Sequence, residues 1–143
     1  MKKNVILFLL AAALMLVALT GCAALKPAAL SNEQVIQAAD GFLKATQTGD
    51  YPGAIVGFSD QMKAAYTEAQ FNNLRSLLQK ASGSYTSCSG AKPDLSNNQG
   101  YAIYRFACKF ELEDVMVTIT FKVGGDKVEG LFFDSVNLRK LVK

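Results

Sequence analysis

The spacing of apolar residues along the chain changes period once, near Ser84. Upstream it is helical. Val35, Ala39, Phe42 and Thr46 recur at intervals of three or four, and Ile36 and Leu43 widen the stripe. Ser31 and Gln34 have capping-box spacing, Leu30 can staple onto Val35, and Gly49 stops the helix. A second, short helix is expected from Asp50, with Pro52 in its first turn and an end near Ser59. Residues 60–66 give no clear period. Thr67 and Gln70 then repeat the capping box, and Phe71, Leu74, Leu77, Leu78 and Ala81 form the buried stripe of a third helix ending at Gly83.

Downstream the period is two. Strands are expected over 84–92, 101–112, 114–123 and 127–137. Tyr104, Phe106, Cys108, Phe110 and Leu112 share one face of the second. Val115, Val117, Ile119, Phe121 and Val123 share one face of the third, with Thr118, Thr120 and Lys122 opposite. Such alternation belongs to an antiparallel sheet with one covered and one wet face. The expected fold is α+β: three N-terminal helices on a curved four-stranded antiparallel sheet, the sheet curling around the long first helix and the third helix closing a cone.

An apolar run over 5–19 precedes this domain, after Lys2 and Lys3. It is short for a membrane span, which needs roughly 18 or more apolar residues. A charged start and small residues at the end describe an export signal. Leu19-Thr20-Gly21-Cys22 resembles the prokaryotic lipobox. The resemblance implies a diacylglyceryl group on the Cys22 thiol and cleavage between Gly21 and Cys22. The alternative is a transmembrane helix with a chance cysteine. The expected organisation is a signal peptide at 1–21, a tether at 22–30 and the cone domain at 31–143. The protein would then sit on the exported side of a cell membrane or envelope, held by lipid.

Cleavage changes the charge picture. Losing Lys2 and Lys3 leaves 13 basic against 12 acidic side chains, a net charge of about +1. No basic block remains, so nucleic acid is not an expected partner. Of three cysteines, Cys22 is assigned to lipid. Cys88 and Cys108 form an even pair in an oxidising setting, which reads as a disulfide, against the alternative of two buried thiols. They are symmetric about Asn98, so a hairpin turning there sets them opposite each other.

Phe42-Leu43 with Thr48-Gly49-Asp50-Tyr51 resembles the opening of the nuclear-transport-factor-two-like superfamily, a cystatin-like cone fold whose enzymes include the SnoaL-like group. Val128-Glu129-Gly130-Leu131-Phe132-Phe133 resembles its last strand. The likeness covers about 31–136 and points to an uncharacterised branch of secreted proteins and lipoproteins. It implies a pocket between sheet and helices and no uniform activity. Enzymes of the group place His, Asp or Tyr in that pocket.

This chain has no histidine. A Ser/His/Asp triad, a Cys/His dyad and a histidine metal site are therefore absent. No Gly-x-Gly-x-x-Gly or P-loop occurs. Glu111, Glu113 and Asp114 at a hairpin end read as a solvated turn rather than a calcium site. No metal or cofactor is expected. Asp134 is the one candidate acid or base. In a regular last strand it shares a face with Val128, Phe132 and Val136, aimed into the pocket near Tyr104 or Tyr66. A bulge at Gly130 reverses the faces, puts Leu131 and Phe133 inside, and is the favoured register. The candidate pocket wall is Asp134, Tyr104, Phe106, Phe42 and Phe71.

Three functions are compared. The first is a non-catalytic, membrane-anchored domain that binds a small apolar ligand or a protein. The second is an isomerase or dehydratase using Asp134 and a tyrosine. The third is a structural envelope lipoprotein. An open interior with Asp134 in its wall favours the enzyme, an open apolar one favours ligand capture, and a filled one favours protein contact.

Overall fold

A computed structural model describes residues 30–94 and 100–142. Leu19-Thr20-Gly21-Cys22, the tether up to residue 29 and Asn98 lie outside the described residues. The described part is an α+β domain with an open four-stranded antiparallel sheet in the order β1-β2-β3-β4. The strands are β1 Tyr85–Asp94, β2 Tyr101–Phe110, β3 Asp114–Lys122 and β4 Val128–Asp134. No helix among the described residues is long and apolar enough to cross a membrane.

Helix α1, Asn32–Thr48, begins at the Ser31–Gln34 capping box and ends at Gly49 in the left-handed region, φ 77°. Its buried face is Val35, Ala39, Phe42, Leu43 and Thr46. The second helix is one turn only, α2 Tyr51–Ala54, capped by Asp50. It stops early because Gly57 and Ser59 are engaged elsewhere. The Val128 N–H donates to the Gly57 carbonyl and the Ser59 N–H to the Val128 carbonyl, so Phe58 pairs parallel to the start of β4. The unassigned stretch then forms α3, Asp60–Ala65, capped by the Ser59 hydroxyl. The Thr67–Gln70 capping box starts α4, Glu68–Ser82.

Five helices are therefore present among the described residues, where the periodicity gave three. The fifth, α5 Val136–Leu141, replaces the end of the expected fourth strand. Ser135 makes the difference, because its hydroxyl accepts the Leu138 N–H and caps a new helix. The second strand likewise ends at Phe110, and Leu112 is 62% exposed beyond it.

The period-two faces are as expected. Ala102, Tyr104, Phe106, Cys108 and Phe110 are buried on β2, and Val115, Val117, Ile119 and Phe121 on β3. The last strand carries a bulge. Thr120 pairs with Gly130 and Phe121 with Val128, which leaves Glu129 as the extra residue. The faces reverse there. Leu131 and Phe133 pack on the core, and Phe132 is 63% exposed.

Candidate functional site

The space between sheet and helices is the place to look first. It is occupied by side chains. Phe42 from α1 stacks on Phe58 and on Phe133 of β4, with ring centroids 5.7 and 5.8 Å apart, and the Tyr66 ring is 6.2 Å away. Phe71 of α4 is fully buried and meets Tyr51 at 5.6 Å. Tyr104 packs edge-on against Phe121 at 5.9 Å, and Phe106 is buried beside them in the same core. Phe42, Phe71, Tyr104 and Phe106 are thus core residues.

Asp134 is not among them. The bulge turns it to the outer face, opposite the exposed Met116. There its carboxylate accepts from Arg139 Nε at 2.8 Å. Tyr104 faces the other way and donates to the Leu30 carbonyl at 3.0 Å. The sheet therefore separates the carboxylate from the tyrosine that the regular register would have joined.

The tyrosine hydroxyls are mostly spoken for. Tyr51 donates to the Tyr66 carbonyl at 2.8 Å, and Tyr85 to Asp40 Oδ1 at 2.7 Å. Burial, and then Asp40, push the Tyr85 hydroxyl well above its ordinary pKa. Burial pulls Asp40 upward, but Lys44 and Tyr85 outweigh it and hold the carboxyl below its usual value. Tyr66 differs. Its hydroxyl is buried without a partner among the described residues, and burial raises its pKa to about 12. A phenol so raised stays protonated and gives up no proton near neutrality.

Cys88 and Cys108 are opposed across β1 and β2 and form a disulfide, with Cα atoms 4.1 Å apart. Cys108 is fully buried on the inner face.

Glu113 is not part of a solvated turn. Its carboxylate accepts from the Ser82 hydroxyl at 2.9 Å, the Ser135 hydroxyl at 2.6 Å and the Asn137 N–H at 3.2 Å. It clasps the end of α4, the β2–β3 turn and the start of α5 together. Nothing in the sequence separates Glu113 from its acidic neighbours, because the hydroxyls that meet it are 31 and 22 residues away. Burial works to raise its pKa, but the two hydroxyls, the Asn137 amide and Lys140 prevail and keep it low. The stabilisation is then complete above the unfolded glutamate value, about 4.3, and is lost as pH falls through the lower folded value. Glu113→Ala is expected to cost roughly 2 kcal/mol at pH 7, since hydrogen bonds to a charged group are lost. In urea denaturation across pH 2–7, the gap between variant and parent should close at the acid end. A gap that stays constant would show that the ionised clasp contributes nothing.

Several openings remain among the described residues, two of them beside α3 and one beside α4. An open groove of about 440 Å³ runs between α3 and the outer sheet row of Tyr101, Ile103 and Thr120. A smaller cavity, about 90 Å³, lies where the last turns of α1 meet α4 and the start of β1. Its apolar wall is Leu43, Leu78 and Phe110, and its polar residues include Gln79, Ser84 and Arg75. Arg75 could have been noticed in the sequence. It stands four residues after Phe71 and three before Leu78, inside the apolar stripe of α4. Among the described residues no group of His, Cys, Asp and Glu could hold a metal ion.

No curated protein matches the chain. A family profile described as "Protein of unknown function (DUF3887)" matches residues 39–131. That match begins within α1 and ends within β4, covering most of the sheet and the helices packed on it, and the chain belongs to this family.

Proposed function

We propose that the chain is an exported lipoprotein, held on a membrane by lipid on Cys22, whose cone domain of the nuclear-transport-factor-two-like kind binds or contacts a partner without turning it over. The filled interior carries this reading. Phe42, Phe58, Phe71, Tyr104, Phe121 and Phe133 occupy the volume a substrate would need. The acid–base groups point the same way. Asp134 is paired with Arg139 on the outer face, and Glu113 is saturated by three donors. The isomerase or dehydratase reading draws no support from this arrangement. Binding therefore falls to the surface and the rim of the domain, and a small apolar guest in the interior is not favoured.

The anchor is the part most directly tested. The full chain, expressed in cells that process lipoproteins and fed a fatty-acid probe, should carry label. Cys22→Ala should lose essentially all of it and leave the precursor uncut at Gly21. Undiminished label on the variant would sink the anchor. Native mass spectrometry of the labelled protein tests the binding half. A retained product-like molecule inside the domain would revive the enzyme.

A further inference from the structure

Arg75 presents a contradiction that the fold alone does not resolve. Its Nε is buried and has no hydrogen-bond acceptor among the described residues. Gly49, in the left-handed region, lets the guanidinium lie close to the end of α1. A Cβ at Gly49 would stand only 3.2 Å from Arg75 Cζ and Nη1. No carboxylate among the described residues makes an ion pair with Arg75. Glu111, whose side chain lies against Gly83 of the cavity wall, accepts from the Ser84 N–H at 3.4 Å. Buried N–H groups are seldom left without an acceptor. Nε itself is closed off from the cavity, so it is the two Nη groups, which also make no hydrogen bond among the described residues, that are left to meet a planar, two-oxygen acceptor such as a carboxylate.

The cavity beside it fits that chemistry. Arg75 is its one cation, and Leu43, Leu78 and Phe110 form an apolar wall. At about 90 Å³ it is far too small for a drug-sized ligand but has room for several waters. A small acid group with a short apolar tail matches both wall and charge. A phosphate dianion matches less well, because one guanidinium leaves half its charge uncompensated and phosphate has no use for the apolar wall.

We propose that this cavity is a carboxylate-binding site, in which Arg75 takes the two oxygens and Leu43, Leu78 and Phe110 take up to a few carbons. The site deepens the binding reading above and rests on it. The carboxylate belongs either to a free short-chain acid or to the C-terminus of a peptide.

The test is a nuclear magnetic resonance titration of the full chain in detergent micelles, observing the Arg75 Nε–H and the Gly83 and Ser84 amides. The probes are butyrate, butyramide, inorganic phosphate, and a short peptide with either a free or an amidated C-terminus. Saturable shifts with butyrate, at least tenfold weaker with butyramide, are the expected result. A response to the free-acid peptide alone also supports the site and assigns its ligand to a chain end. Arg75→Lys should weaken binding at least tenfold, because it keeps the charge and loses the fork. The probe series on the parent protein stands even if that variant fails to fold. No saturable shift with any acid would overturn the proposal. So would equal responses to butyrate and butyramide, an equal or stronger response to phosphate, or unchanged binding in a folded Arg75→Lys. Failure here leaves the lipid label on Cys22 untouched, and loss of that label leaves this titration untouched.

Discussion

Phe42→Ala is expected to lower the unfolding free energy by about 3–5 kcal/mol, the range for deleting a buried phenylalanine. The side chain is 4% exposed and touches rings from three different parts of the chain: Phe58 before α3, Tyr66 after it, and Phe133 on β4. Those neighbours are held by separate backbones. Phe58 is fixed by its bridge to Val128, and Phe133 by its pairing with Val117. They cannot close together over the void, so the cavity cost adds to the lost transfer energy. Phe42→Leu keeps most of the volume and should cost roughly 1.5 kcal/mol or less. Urea denaturation with constant slope measures both. A cost under 1 kcal/mol for Phe42→Ala would mean that the interior is not packed there, and would reopen the question of an internal ligand.

The second large effect is expected from the disulfide. Cys88 and Cys108 are 20 residues apart, and closing a loop of that size restricts the unfolded chain by about 3 kcal/mol. Reduction should therefore lower the melting temperature by roughly 10 °C or more for a domain of this size. Cys108 is fully buried, so reductant should act slowly on the folded protein and quickly after brief unfolding. Cys88→Ala with Cys108→Ala, melted without reductant, should match the reduced parent to within a few tenths of a kcal/mol. An unchanged midpoint on complete reduction would show that the cross-link does not limit the unfolded ensemble.

Much of this fold was legible in the sequence because its signals are local. Two capping boxes, Ser31–Gln34 and Thr67–Gln70, start the two long helices where the spacing places them. The alternation along β2 and β3 sets the inner face residue by residue, and the cysteines pair as symmetry about Asn98 places them, although β1 shifts register between Ser89 and Lys92, which no count along the sequence shows. What was not legible depends on contacts between distant residues. Helices of six residues, such as α3 and α5, are not stable by propensity and form only when something holds them. For α5 that support is Glu113 meeting Ser135 and Asn137. The run Val128-Glu129-Gly130-Leu131-Phe132-Phe133 is apolar on both parities beyond the glycine, so alternation alone could not choose between Phe132 and Phe133. The bulge at Glu129 chooses, assisted by Ser59 and Lys122, which take the Glu129 carboxylate at 2.8 and 3.5 Å. The filled interior was equally hidden. A stripe of phenylalanines reads the same whether it lines a cavity or closes one.

The strand order has a consequence for how the domain assembles. Every sheet neighbour is also the next strand in sequence, so each pairing closes a short loop and costs little chain entropy. Hairpins β1–β2, β2–β3 and β3–β4 can zip in the order in which a growing chain presents them. The contacts around Phe58 are different. Ser59 reaches Glu129 across 70 residues, and Phe58 must wait for Val128 before it can bridge. Until then the outer edge of β4 is open, and the aromatic rings around Phe42 lack one wall. Docking residues 57–59 onto that edge closes one of the long loops of the fold, the kind of non-local pairing that slows folding. A chain stopped before Val128 would hold the caps of α1 to α4 and two complete pairs of hairpin strands, yet leave that wall unbuilt.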